Sequence, residues 1–343
     1  MRFLHPEPSS SAVPVFPVFI PFAGCATRCV FCAQDIQTGV PLRPPESILR
    51  SLEESFAGME AQNPARDLAF YGGTFTALPR ETQNSFLAVA ARLKREGKIR
   101  RVRCSTRPDA VSPRRLAALR RLGLDDLELG IQSFCDLPLR ASRRGYSGTE
   151  ARAACLKARE AGLGLGVQLM PGMPGMEEKH LEDDVEQCLE LRPDTVRLYP
   201  CLVLAGTALA REWEEGAFLP WSLERICRLL PRAILALWGR GIRVIRLGLA
   251  PEKNLKENLL AGAWHPSLGQ SLRGRALQLY LSSRLPGEPE KLKGKILCAP
   301  RRAQGEFFGH RRELRPSYAA MGLEQKQVRW WNNDFFELLE DSL

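Results

Sequence analysis

The sequence has only four histidines in 343 residues, at positions 5, 180, 265 and 310, each alone in its stretch. It has one cluster of cysteines and no second CxxC or HxxxH half to complement it. A structural zinc site built from two such halves is therefore not written here, and a zinc reading needs a fourth ligand from elsewhere in the chain. No GxGxxG follows the first strand-like run, which argues against an open dinucleotide-binding sheet. No stretch approaches the roughly 20 apolar residues that a membrane-spanning helix needs. Disulfides are equally poorly supported. Seven of the ten cysteines (Cys104, Cys135, Cys155, Cys188, Cys201, Cys227 and Cys298) are scattered singly through helix-like and strand-like segments, the distribution of reduced thiols in a cytoplasmic protein.

What is present is an ordinary globular composition, with 44% apolar and 26% charged residues and a formal net charge of +10. The charge favours an anionic partner such as nucleic acid, a phosphate-bearing metabolite or an acidic surface, and equally describes a well-solvated basic exterior. Arg2 followed by the apolar "VPVFPVFIPFAGC" has the outline of a bacterial lipoprotein signal. Pro14, Pro17 and Pro21 interrupt that run, and a single early positive charge precedes it.

Short apolar runs alternate with longer amphipathic ones along most of the chain. Strand-like runs cover 14–22, 67–73, 99–109, 125–133, 163–172, 194–200 and 241–249. Helical patterns fill the gaps at 45–62, 79–97, 112–123, 147–162, 176–191 and in a helix-rich stretch ending near 239. This rhythm implies a parallel sheet with helices outside it. The expected fold class is α/β, a partial (β/α)6 TIM-like barrel with a small α+β C-terminal extension. The expected division is a flexible N-terminal segment at 1–12, the barrel at 13–250, a loop or cap segment at 251–284 and the small domain at 285–343. In that last part the pattern predicts strand 291–299, helix 303–322, strand 325–330 and helix 332–343.

In such a barrel the loops after the strands gather at one face, and that face carries the chemistry. The loop "FAGCATRCVFCAQ" (22–34) follows the first strand and holds Cys25, Cys29 and Cys32. Thiolates hold iron–sulfur clusters, usually through four cysteines. Three leave one iron with an open position. Other features at strand ends are "YGGTF" (71–75), "STRPD" (105–109), "ELGIQS" (128–133), "QLMPGMPG" (168–175) and "RLYP" (197–200).

CxxxCxxC with an aromatic residue, Phe31, before its last cysteine resembles the cluster loop of the radical S-adenosylmethionine (SAM) enzymes. The resemblance implies a [4Fe–4S] cluster whose open iron chelates SAM, and reductive cleavage of SAM to a 5′-deoxyadenosyl radical. That chemistry is carried by cofactors, so no protein acid or base is assigned as catalytic. "FYGGTFTALP" resembles the family's glycine motif, which would bring the backbone at Gly72 and Gly73, with Thr74, to the methionine end of SAM; the same glycines also suit a tight strand-to-helix turn. "STRPDAV", "LELGIQS" and "SRRGYSGTEARAA" resemble the branch of the elongator catalytic subunit and the oxygen-independent coproporphyrinogen oxidases. Glu128, Gln132 and Arg144 are then the positions expected around SAM, and Phe31 is expected near its adenine. Each has a plainer reading too, Glu128 as the partner of a neighbouring arginine and Arg144 as a solvated helix start.

The resemblance covers roughly residues 13 to 250 and has departures. Tyr146 stands where the elongator type has histidine. The 343 residues contain no acetyltransferase-like domain, and the amino-terminal features of the coproporphyrinogen oxidases are not found in residues 1 to 20. The segment 250–272 around Trp264 and His265 resembles one that follows the barrel in elongator relatives, which would put His265 either at the barrel mouth or in a structural role. "GHRR" (309–312) faintly resembles a KH-type RNA-binding loop although GxxG itself is absent, and a lid or dimer surface is the alternative. The expected partners are a reductant such as flavodoxin or ferredoxin and an RNA substrate. The alternatives are a porphyrin-like small molecule, and an iron–sulfur or zinc protein without radical chemistry.

Overall fold

The computed structural model describes residues 1–8, 13–60 and 65–340. The described strands are β1 (Arg2–Leu4), β2 (Val15–Phe19), β3 (Arg66–Tyr71), β4 (Ile99–Thr106), β5 (Asp126–Gln132), β6 (Gly164–Leu169), β7 (Thr195–Leu198), β8 (Leu202–Leu204), β9 (Arg243–Leu247), β10 (Leu259–Gly262), β11 (Lys295–Pro300), β12 (Val328–Trp331) and β13 (Phe335–Glu340). Seven of them form one sheet in the order β2-β3-β4-β5-β6-β7-β9, and every neighbouring pair in it is parallel. This is the expected partial barrel, and the seventh strand-like run, 241–249, supplies β9, which closes the row by pairing with β7. The lipoprotein-like apolar run supplies β2, an edge strand of that sheet.

The outer face of the sheet is apolar and covered by helices. Leu68 and Phe70 on β3 and Leu127 and Leu129 on β5 are buried there, and the helix Arg80–Arg95 turns Phe86, Leu87, Ala90 and Leu93 inward. The inner face is polar. Arg101, Arg103, Asp126, Glu128, Thr195 and Arg197 line a chamber of about 1060 Å³, paired in part as Arg101–Asp126 and Arg197–Glu128. Two glycines on β6 make room for the carboxylates. A Cβ at position 164 would lie 2.0 Å from Asp126 Oδ1, and one at 166 would lie 3.0 Å from Glu128 Cγ.

The helix Leu268–Arg284 ties this barrel to the C-terminal part. Its Leu268, Leu272 and Ala276 enter the large core, whereas Leu277 and Leu281 enter a second, smaller core with Phe307, Tyr318 and Phe336. The small core lies against a sheet of order β1-β13-β11-β12.

Three expectations change in this region. Residues 2–4, expected within a flexible segment 1–12, form β1 and pair antiparallel with β13, where Phe3 stacks on Phe336 at 5.4 Å; residues 9–12 lie outside the described residues. Within the stretch expected as helix 332–343, residues 335–340 form the strand β13, because "FFELL" buries Phe336 and Leu338 at every second position, a strand period, and β11 offers it a hydrogen-bonding edge; residues 341–343 lie outside the described residues. The helix expected over 303–322 shrinks to Arg315–Ala320. Gly309, Arg311 and Arg312 all have positive φ there, so "GHRR" is a turn that interrupts the helical spacing of Phe307, Leu314 and Tyr318.

Among the described residues no helix is long and apolar enough to cross a membrane.

The loop after β5 is anchored by a buried carboxylate. Asp184 Oδ1 accepts hydrogen bonds from Ser133 Oγ (2.9 Å) and from the backbone N–H of Phe134 (2.6 Å). Its Oδ2 is buried without a partner, and burial pushes the carboxyl up to about 7 despite those bonds. Asp183 repels its charge, and the Cys135 thiol lies at 3.8 Å. The folded-state value lies above the unfolded one, so the folded protein holds the extra proton between about pH 4 and pH 7, and stability falls as pH rises through that window. Asp184→Asn keeps an acceptor and removes the titration. Chemical denaturation should show it losing less stability than the parent between pH 5 and pH 8, by a difference of about 1–4 kcal/mol; parallel pH profiles would refute the assignment.

Candidate functional site

The C-terminal ends of the barrel strands meet at a pocket of about 220 Å³ that brings together Cys25, Cys29, Cys32, Gly72, Gly73 and Gln132, with Phe31, Glu128 and Arg144 also on its wall. Segments as distant in sequence as 25 and 197 converge there because consecutive parallel strands place their following loops side by side.

The cysteine loop is clasped to the loop after β3 through backbone contacts. Thr74 N–H donates to Ala23 C=O at 2.7 Å. Gln34 Oε1 accepts from both Phe22 N–H (2.6 Å) and Gly73 N–H (2.8 Å). Gly73 has φ +58°, and a Cβ there would lie 2.2 Å from Ala23 C=O and 2.9 Å from Ile20 C=O. Gly24, at φ +75°, faces back with a Cβ position only 2.4 Å from Thr74 C=O. The glycines thus allow two backbones to touch, and Gly72 and Gly73 also form part of the pocket wall. Thr74 does not line the pocket. It is buried behind it, with Oγ1 at 3.2 Å from Cys25 Sγ.

Burial raises the Cys25 thiol and pushes Cys32 up to about 12, and the neighbouring Cys29 adds to both effects. Protonated thiols of this kind are poor nucleophiles, and a metal that binds them must displace their protons. Cys29 is different in surroundings. Arg144 Nη1 donates to its Sγ at 2.9 Å and Arg107 Nη1 points at the same sulfur at 3.7 Å. Arg144 Nε donates to Tyr146 Oη at 2.8 Å, and Arg144 Nη2 donates to Gly130 C=O at 2.6 Å. The Tyr146 hydroxyl, buried and pushed up to about 12, lies at 2.9 and 2.8 Å from the carbonyls of Gly130 and Ile131. Arg107 is held by Asp109 through Nε and Nη2.

Glu128 sits deeper, with its Oε2 2.7 Å from Arg197 and its Oε1 3.4 Å from Arg103 and 3.3 Å from Tyr71 Oη. Arg197 also donates to Tyr71 Oη at 2.6 Å. This arginine-paired arrangement is the plainer of the two readings of Glu128, and it forms a partition between the upper pocket and the chamber below, since Tyr71, Glu128 and Arg197 line both. Gln132 has φ +68° at an irregularity in the β5–β6 register. Its Oε1 accepts from Gln168 Nε2 at 3.1 Å, and a strained non-glycine residue at a site like this is held only where its surroundings fix it.

His265 is not at the barrel mouth. It lies in a separate groove with Cys227, Arg275 and His310, its Nδ1 accepting from Ser267 N–H at 3.1 Å and its ring edge-on to His310 at 5.0 Å. The segment around it does return to the site: β10 pairs with β8, and Leu255, Leu202 and Ala33 pack beside the cysteine loop. Sequence reasoning missed Gln34, Tyr71, Arg107 and Arg197. Arg107 stands in "STRPD", a segment already marked, whereas Gln34 carries no signal of its own beyond following Cys32.

Among the described residues no three His, Cys, Asp or Glu side chains gather tightly enough to hold a single metal ion. A cubane cluster makes a different demand, one thiolate for each iron it anchors. Three thiols on one wall, a buried guanidinium directed at one of them and side-chain-free backbone at Gly72 and Gly73 fit a cluster with one iron left open.

Residues 19–188 match the family profile of the radical SAM superfamily, and residues 193–276 match the radical SAM C-terminal domain. The chain is 31% identical over 202 residues to the tRNA uridine(34) acetyltransferase of Methanocaldococcus infernus, covering 52% of this chain and 38% of that protein. It is 32% identical over 204 residues to human Elongator complex protein 3, covering 51% and 36%. The chain thus spans little more than a third of the length of these relatives. In fold it is similar to the archaeal Elp3 of Methanocaldococcus infernus with an N-terminal deletion (TM-score 0.60, 23% identity, 80% of this chain and 64% of that one). It is also similar to coproporphyrinogen III oxidase of Escherichia coli (TM-score 0.51, 22% identity, 69% and 54%).

Replacing Cys25, Cys29 or Cys32 with alanine should abolish the iron–sulfur absorbance of reconstituted protein, while Cys155→Ala and Cys227→Ala should leave it nearly intact. Gly73→Ala forces a side chain into the backbone of Ala23 at an unfavourable φ; it should lose about 2–4 kcal/mol of stability in denaturant titration and retain less iron. Equal iron content in Gly73→Ala and the parent would show that the clasp is not needed.

Proposed function

The chain belongs to the radical SAM superfamily, and from that premise we propose that Cys25, Cys29 and Cys32 anchor its [4Fe–4S] cluster and that SAM completes the coordination. The observation that carries this reading is the set of three thiols on one pocket wall with only three cysteines among the lining residues. When bound and reduced, the cluster supplies the electron that cleaves SAM to methionine and a 5′-deoxyadenosyl radical.

The chain's own residues do the positioning. Gln34 and the glycine clasp hold the cysteine loop at the end of β2. The open backbone at Gly72 and Gly73 is offered to the methionine end of SAM, Phe31 to its adenine, and Gln132 and Arg144 to the polar groups between. Thr74 contributes through Cys25, which it touches. Glu128 contributes by keeping Arg197 and Tyr71 in the partition. All ten cysteines are free, which suits the reducing cytoplasm. The cluster needs a one-electron reductant, and a flavodoxin or ferredoxin is proposed for that role.

The proposed substrate is RNA, with tRNA as the first case to test. Its relatives include tRNA uridine(34) acetyltransferases of Methanocaldococcus, and the net charge of +10 is of the sign that phosphates attract. One observation favours a small anionic metabolite instead. The chamber beneath the partition is of small-molecule size, and Arg243 and Arg246 on its wall have no ion-pair partner among the described residues.

Anaerobically reconstituted protein, reduced with dithionite in the presence of SAM, should form 5′-deoxyadenosine; protein with a full cluster and no SAM cleavage would refute the enzymatic reading. Bulk tRNA should be retained at low salt with an affinity that falls steeply as salt rises. No retention at low salt would turn the choice to the small metabolite.

A further inference from the structure

Arg144 presents a problem of charge. It is 5% exposed, and its three hydrogen-bonded partners are Tyr146 Oη, the carbonyl of Gly130 and the sulfur of Cys29. No carboxylate among the described residues pairs with it. A buried guanidinium without a counter-charge is strongly unfavourable, so the site is arranged for an anion, and one group already in contact that becomes an anion is Cys29 when it carries metal. Arg107 also reaches this sulfur, at 3.7 Å, and is fixed by Asp109 and by donation to the Arg144 carbonyl. Neither arginine points its bond to sulfur at Cys25 or Cys32.

We propose that Arg107 and Arg144 raise the reduction potential of the cluster by directing N–H groups at Cys29 Sγ, and that Tyr146 and Asp109 are the positioning residues that hold them there. Hydrogen bonds and positive charge at a cluster sulfur stabilise the more negative, reduced state, which moves the potential upward. The two arginines come from the ends of different strands, Arg107 after β4 and Arg144 after β5, so the barrel register itself brings them to one sulfur. This inference rests on the cysteine triad holding the cluster.

The test is an anaerobic redox titration of reconstituted full-length protein, read by the EPR signal of the reduced cluster, with iron and sulfide counted in every sample. Arg107→Gln should lower the midpoint potential by about a factor of ten in the one-electron equilibrium, about 59 mV. Tyr146→Phe removes the hydroxyl that orients Arg144 and should lower it less; Arg107→Lys, which keeps the charge, should restore part of the shift. Arg28→Gln is the control. It removes a positive charge from the cysteine loop itself, but Arg28 is exposed and lies over the Phe22 ring at 4.0 Å, so the midpoint should not move. A parental midpoint in both Arg107→Gln and Tyr146→Phe would overturn the proposal, as would an equal fall in Arg28→Gln. If Arg107→Gln assembles no cluster, Tyr146→Phe decides alone. Parent protein that assembles no cluster fails the underlying reading, a distinct result from an unmoved potential.

Discussion

The active face of this barrel depends on two stretches of backbone touching with no side chain between them. Gly24 in the cysteine loop and Gly73 after β3 each face the other segment at a distance that leaves no space for a Cβ, and a hydrogen bond from Thr74 N–H to Ala23 C=O closes the contact. Pairing of β2 with β3 brings the two loops to the same edge. Gln34 then satisfies one N–H on each side with a single carboxamide oxygen. Two part-buried backbone donors would otherwise go unpaired, at a cost of up to about 1–3 kcal/mol each. The positions of Cys25 and Cys29, and hence the direction of every later contact, follow from that junction.

From the junction inward the site is organised by charge. The inner face of the sheet carries ion pairs where many barrels carry apolar layers. Arg197 and Arg103 meet Glu128, Arg101 meets Asp126, and Arg100 and Arg103 meet Asp67. Such pairs contribute little net stability, because desolvation offsets much of their attraction. What they do is keep the interior open and polar without leaving isolated charges. The partition formed by Tyr71, Glu128 and Arg197 belongs to both the thiol-lined pocket and the chamber below, so a change in one of these side chains is felt on both sides.

The barrel was legible from sequence because its constraints are local and periodic. Parallel strands covered by helices read as apolar runs, and the covering helices read as amphipathic stretches with capped ends, as at Ser147 and Glu150. The cysteine spacing was legible for the same reason. The residues that complete the site were not, since Gln34 meets Gly73 across 39 residues and Tyr71 meets Glu128 and Arg197 across 57 and 126, relations that exist only once the strands are set side by side and that no local pattern records. The C-terminal part failed differently. "FFELLE" has helix-compatible composition and strand-compatible alternation, and the choice was made by the edge that β11 and β1 present to it. Between 303 and 322 the apolar spacing is helical, but three residues of positive φ, Gly309, Arg311 and Arg312, break it.

One departure from the resemblance is Tyr146, at a position where the resemblance to the elongator type leads to the expectation of histidine. Both side chains can accept from an arginine N–H, but they differ in what happens near neutral pH. An imidazole titrates around pH 6.5 and would lose its acceptor nitrogen on protonation. Tyr146 is buried and its hydroxyl is pushed up to about 12, so it stays neutral through the physiological range. It accepts from Arg144 Nε while lying within hydrogen-bond distance of the carbonyls of Gly130 and Ile131. Arg144 is therefore oriented toward Cys29 by a group whose hydrogen bonding does not change between acid and alkaline conditions. The same hydroxyl ties that orientation to the end of β5 through the carbonyls of Gly130 and Ile131. A histidine at 146 has one donor and one acceptor nitrogen and no atom able to do both at the same point, so exchanging it for tyrosine changes the geometry of the loop as well as its response to pH.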